Sequence, residues 1–318
     1  MAVTLLERKA KLHSLLSSTT NPRRPLLTHL SADNSWLLSV PIPNNPPTGN
    51  TQDSEQRPRK VYFHLLLDAW LTPSNTPIPG TTWFQVIHHT ETPACDSIAA
   101  VIDLIADIEA VASGSTASNS GGNSEYQIDA VVVGHSGPDH MDFDTLKQVD
   151  PSVPFFVPEM GFTTVQSWKH FDTVIQIPEF DANSGALDWR TASSTQAPHL
   201  PSWLAVWRIP GPSRPPALHW AICIVFEADG TAQPECVIQT PHGLWVDETE
   251  ALKSVFLDAD PGVRPLALLH TTKESTYYRW GKANLGARNG VRVAETVGPR
   301  YCKFTLLCVM FSWVEAHC

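Results

Sequence analysis

His135, Asp139 and His140 lie within six positions of one another in the run His135-Ser136-Gly137-Pro138-Asp139-His140. A tight turn containing Gly137 and Pro138 can aim two imidazoles and a carboxylate at one point. Those nitrogen and oxygen donors suit zinc, iron or manganese. The same residues also make an ordinary polar turn in which Asp139 caps a following helix. Further candidates lie far off in sequence. His242 follows the apolar run VIQT in Pro241-His242-Gly243 and is either a ligand or part of a turn. His219 precedes the strand-like WAICIVFE and is either a ligand or a core histidine. Asp68 ends VYFHLLLDAWL, where a carboxylate could orient a ligand imidazole from behind or simply terminate the strand. His270 also ends an apolar run and is a weaker ligand candidate. His88 and His89 are adjacent in a strand-like segment and so face opposite sides, which leaves at most one of them for a site.

The elements around these residues read as alternating strands and short helices. The spacing predicts a short N-terminal helix and linker over 1–25, then one domain over 26–318. Strands are expected at 28–40, 61–71 and 83–90, and a helix at 97–111 from its apolar repeat. The Ser/Gly/Asn tract at 114–127 reads as a flexible insertion. Ile128 to Val133 is continuously apolar, as in a strand buried on both faces, and it runs directly into the His135 turn. Helices at 143–149 and 163–170, strands at 155–158, 173–177, 203–209, 218–227, 236–239 and 264–269, and a helix at 248–256 complete an α/β pattern.

Composition narrows the class. The chain has 318 residues, and 42% hydrophobic with 17% charged residues is a globular balance that can fill a core. A net charge of -10 disfavours nucleic acid as the main partner. No run is long and apolar enough for a membrane span or a secretory leader. Six cysteines without a CxxC pair point to reduced thiols and a cytoplasmic setting. There is no GxSxG elbow and no phosphate-binding GxxxxGK[ST] loop.

His135-Ser136-Gly137-Pro138-Asp139-His140 resembles the HxHxDH signature of the metallo-β-lactamase superfamily, with Gly137 in place of the middle histidine. LLLDAWL (65–71) is similar to the strand that the UlaG-like branch carries near its site. SWKHFDTVIQIP (167–178) looks like a segment of fungal members. LHWAICIVFE, VIQTPHGL and LGARNGVRVAETVGPRYCKF look like later core elements of that branch. The resemblance covers residues 28–304 and implies the αββα four-layer sandwich. It implies a hydrolase using a hydroxide on one or two zinc ions against an ester, phosphodiester or lactone of a small molecule. His135, His140, His242 and His219 would be metal ligands, Asp139 would bind metal or orient the attacking water, and Asp68 would stand behind a ligand. His242 falls where members have a bridging aspartate. The final segment, YCKFTLLCVMFSWVEAHC, departs from the expected terminal histidine, loop and helix, as a truncated C-terminus would. Gly137 and that departure also fit a scaffold or binding protein that kept the fold and lost the metal. Oligomeric state is open.

Overall fold

In the computed structural model, residues 5–17, 24–31, 34–43, 60–72, 76–77, 86–87, 89, 92–114, 127–180, 189, 196–212, 218–228, 233–248, 250–258, 262–277 and 281–305 are described. Two sheets dominate. The first runs β1 (Leu26–His29), β2 (Trp36–Pro41), β3 (Tyr62–Leu67), β6 (Ala130–Val132), β7 (Phe155–Val157), β8 (Val174–Gln176), with β3, β6, β7 and β8 parallel. The two-residue strands β4 (Thr76–Pro77) and β5 (Val86–Ile87) pair apart from it. The second sheet is ordered β15 (Tyr301–Thr305), β12 (Arg264–Thr271), β11 (Glu235–Thr240), β10 (Ala221–Phe226), β9 (Leu204–Ile209). A hairpin, β13 (Glu274–Tyr277) and β14 (Gly281–Leu285), stands beside it.

Side-chain alternation explains the layering. In β3 and β6, Leu66 and Val131 face one way while Leu65 and Val132 face the other, and all four are fully buried. Leu66 and Val131 pack against α1 (Leu5–Ser17), α2 (Ile98–Ser113) and α4 (Glu159–Trp168) through Leu12, Val101, Ile105 and Val165. Leu65, Val132 and Phe156 instead meet Ile222, Ile224 and Val237 of the second sheet. That sheet's other face, with Cys223, Ile238 and Leu268, is covered by α5 (Glu250–Lys253) and α6 (Gly286–Val297) through Leu252 and Val293. Three apolar layers between four layers of secondary structure make the αββα sandwich. Burial on both faces is also why 128–133 is apolar without alternation.

Local chemistry sets the boundaries. Ser97 caps α2 by accepting from the Ala100 N–H at 3.3 Å, and Gly114 ends it at φ 69°. The expected single strand over 28–40 is two, because Leu30 N–H bonds back to Ser35 C=O and closes a turn. Helix α4 begins at Glu159, four residues before the expected Thr163, with Pro158 at its N-cap and an acidic residue in the positive first turn. The helix expected at 248–256 is a single α turn followed by a wider π turn over Ser254–Asp258. Cys95, Cys223 and Cys236 are buried thiols, whereas Cys302 is disulfide-bonded, against the expectation of reduced thiols throughout. Among the described residues no helix is long and apolar enough to cross a membrane. His88, His317 and most of the 114–127 tract lie outside the described residues.

Candidate metal centre

Strands β3 and β6 are parallel neighbours, so Asp68 and His135 leave the first sheet at the same carboxyl end. The turn that follows β6 is closed by the His140 and Met141 N–H groups, which both donate to Gly137 C=O at 2.9 and 2.8 Å. It runs into α3 (Phe143–Leu146). The cap of α3 is Asp142, which accepts from Thr145 N–H at 3.0 Å, so Asp139 is not the capping residue. Asp142 also accepts from Thr72 Oγ1 at 2.7 Å, and Thr145 Oγ1 accepts from Leu71 N–H at 2.9 Å. These bonds tie the turn to the segment after β3.

From the second sheet, β11 delivers His242 to the same place. His135, His140 and His242 each offer a ring nitrogen within 4.8 Å of the others. Their ring centroids are 4.5 to 5.3 Å apart and all three are buried. His140 Nδ1 bonds to Asp68 Oδ2 at 2.9 Å, and Asp68 also accepts from Gly134 N–H at 2.5 Å and Gln239 Nε2 at 2.7 Å. A carboxylate held this way makes the His140 Nδ1 a proton carrier and leaves the lone pair on Nε2. His242 Nδ1 donates to Asn284 Oδ1 at 2.9 Å, and Asn284 Nδ2 donates to Ser275 Oγ at 2.7 Å. The lone pair of His242 is therefore also on Nε2, which is buried without a hydrogen-bond partner. Burial, and then the neighbouring imidazoles, push the His135 and His242 rings below the usual histidine range, His242 to about 4. Neutral rings are the form a cation requires.

Asp139 lies at the rim, its carboxylate a third exposed and Oδ2 3.6 Å from His140 Nε2. Burial works to raise its pKa, but His140, His242, its own backbone N–H and Lys273 outweigh that and hold it below the usual value. Trp220 stacks on His135 at 5.1 Å and 18°, donates from Nε1 to Gly134 C=O at 2.7 Å, and carries the Arg208 guanidinium 5.0 Å from its ring centroid. At Gly137 a Cβ would sit 2.7 Å from Asp139 Oδ1 and 2.8 Å from His135 Nδ1. A histidine there would require the Asp139 and His135 side chains to shift.

The remaining candidates separate. His219 is buried beside the cluster, where Trp245 Nε1 donates to its Nδ1 at 3.1 Å, but it is not in the three-imidazole group. His270 bonds Thr240 Oγ1 at 2.7 Å and Gly286 C=O at 3.1 Å, a set that uses both ring nitrogens within the core. His89 stacks on Trp70 and bonds Thr72 C=O. Gln239, Asn284 and Trp220 were not among the sequence candidates. A lone Gln inside the apolar run VIQT is a signal that could have found Gln239. Asn284 carried none, because its hairpin had no strand pattern.

No protein-family model matches the chain, and no curated protein matches it. Solved structures do, among them the following two. One is described as a possible metal-dependent hydrolase from Veillonella parvula DSM 2008, at 15% identity and TM-score 0.50, covering 91% of this chain and 87% of the other. The second is an isothiocyanate hydrolase from Delia radicum gut bacteria, at 13% identity and TM-score 0.50, covering 90% and 87%. At such identities the likeness is one of fold, and it agrees with the layers traced above: the chain adopts the metallo-β-lactamase-like αββα sandwich.

Proposed function

We propose that the chain is a metal-dependent hydrolase of the UlaG-like branch, fungal in type and cytoplasmic, acting on an ester, phosphodiester or lactone of a small molecule. One observation carries this reading: buried imidazoles from both sheets converge, and the outer nitrogens of His140 and His242 are anchored to Asp68 and Asn284. The residues present fit a cation, since two Nε2 lone pairs point inward and an ionised carboxylate lies next to them. His140 and His242 would hold the ion, which we take to be zinc, with Asp139 beside them. When bound, a divalent ion polarises a substrate oxygen and lowers the pKa of water from about 15.7 to ~7. Asp68 holds the His140 ring in the required tautomer, and Asn284 does the same for His242. Asp139, kept ionised, orients the attacking water and can accept its proton. Trp220 closes one wall against solvent. A neutral imidazole at 242 supplies no bridging oxygen, so the site suits one ion better than two.

A scaffold that kept the fold and lost the metal is the second reading, favoured by Gly137 standing where the motif has a ligand histidine. Metal analysis of protein purified without chelator separates the two. The hydrolase should carry close to one equivalent, and free zinc at about 100 times its Kd should stabilise it by ~2.7 kcal/mol. Less than ~0.2 equivalents of any transition metal, with no thermal shift on adding zinc, would leave only the scaffold.

A further inference from the structure

The resemblance to HxHxDH makes His135 a metal ligand, but its hydrogen bonding points elsewhere. The backbone N–H of Gly137 donates to His135 Nδ1 at 2.8 Å. An amide N–H can only donate, so Nδ1 carries a lone pair and the ring is not an imidazolium. The single proton of the neutral ring therefore sits on Nε2. That atom is buried, has no hydrogen-bond partner, and belongs to a ring packed 4.5 Å from His242 and 5.3 Å from His140. His140 and His242 are held in the opposite tautomer by Asp68 and Asn284. The three rings thus offer two lone pairs and one N–H.

We infer that His135 is the hydrogen-bond donor of this site and not one of its metal ligands. The assignment deepens the hydrolase reading and rests on it for the donor's target, an oxygen of the substrate or of the water that attacks it. Such a donor, fixed in a buried site, stabilises negative charge that develops on oxygen. Two features hold it. The Trp220 ring, stacked on His135 and near the Arg208 guanidinium, fixes the imidazole plane. At Gly137, the lack of a Cβ, which would sit against His135 Nδ1 and Asp139 Oδ1, lets the backbone approach the ring closely enough for its amide to donate to Nδ1. The glycine that departs from the motif is then what turns a ligand position into a donor position.

The tautomers can be read directly from long-range 1H–15N correlation spectra of 15N-histidine-labelled full-length protein, with His135→Gln, His140→Gln and His242→Gln used for assignment. In metal-free protein we expect His135 protonated on Nε2 and His140 and His242 protonated on Nδ1. After zinc addition, the His140 and His242 Nε2 resonances should move while His135 keeps its Nε2–H. His135→Gln, which retains an N–H donor, should bind zinc within about threefold of the parent. His140→Gln should lose at least about 100-fold, the upper end of what removing even an outer-shell partner costs. His135 protonated on Nδ1 in either state, or zinc affinity falling as far in His135→Gln as in His140→Gln, overturns the assignment. Should no zinc bind at all, the hydrolase reading falls, while the metal-free spectrum still decides which nitrogen of His135 bears the proton.

Discussion

Asp68→Asn changes one atom of the candidate centre and tests how it is held. The carboxylate is fully buried and accepts three hydrogen bonds: Gly134 N–H on Oδ1, and His140 Nδ1–H and Gln239 Nε2–H on Oδ2. Asparagine has nearly the same shape and tolerates the φ of 45° found here, so backbone strain does not confuse the comparison. It cannot accept on both sides. With its amide nitrogen turned toward Gly134, one N–H faces another N–H. Turned the other way, two donors are left facing a third. The cheaper arrangement leaves at least one buried donor unsatisfied, at about 1–3 kcal/mol, and weakens the remaining bonds because the charge is gone. We expect ~2–4 kcal/mol less stability in urea unfolding. Zinc affinity, measured by competition with a chromophoric chelator, should fall about 10- to 100-fold because His140 loses the partner that makes it basic. A variant that kept zinc affinity within a factor of about two would refute the idea that Asp68 prepares His140 for a cation.

Three other perturbations probe the fold around the site. His270 is buried and neutral with its pKa pushed down to about 4. Between pH 6.5 and 4 the unfolded chain therefore takes up a proton that the native ring refuses, and stability should drop by about 3 kcal/mol across that window from this residue alone. Thermal unfolding against pH should show a slope to which the buried His135 and His242 also contribute, and His270→Gln should reduce it by the share of this one residue. Ser97→Ala removes the α2 cap and should cost ~1 kcal/mol in chemical denaturation without touching the metal site. Phe156→Ala empties a fully buried position between the sheets and should cost about 3–5 kcal/mol, and no change in the urea midpoint would contradict the packing described.

The sequence revealed what is local and hid what is assembled. IDAVVV followed, after Gly134, by HSGPDH exposes a doubly covered strand and the turn at its end, because burial and turn chemistry are both written within thirteen residues. Asp68 and His242 are legible for the same reason, each being the first polar group after an apolar strand. The partners that set the tautomers are not. Asn284 reaches His242 from β14, a five-residue strand of a hairpin 42 residues away whose two buried apolar positions are too few to announce it. Trp220 looks like core from sequence, and only the packing shows its ring lying flat on His135. The break between β1 and β2 was masked because SADNS interrupts a run that otherwise alternates. The role of Gly137 depends on its amide direction, which no residue type encodes.

The pocket straddles a seam. His135, His140 and Asp68 belong to one sheet, while His242 and Gln239 belong to the other, and the Gln239–Asp68 bond bridges them. A cation gripped by His140 and His242 would rivet the two halves together. Occupancy should then resist their shearing far more than it resists the fraying of any single strand. The grip in turn is only as good as the spacing that Phe156, Ile222 and their neighbours maintain beneath it, so repacking the inner apolar layer becomes a way to tune affinity from a distance.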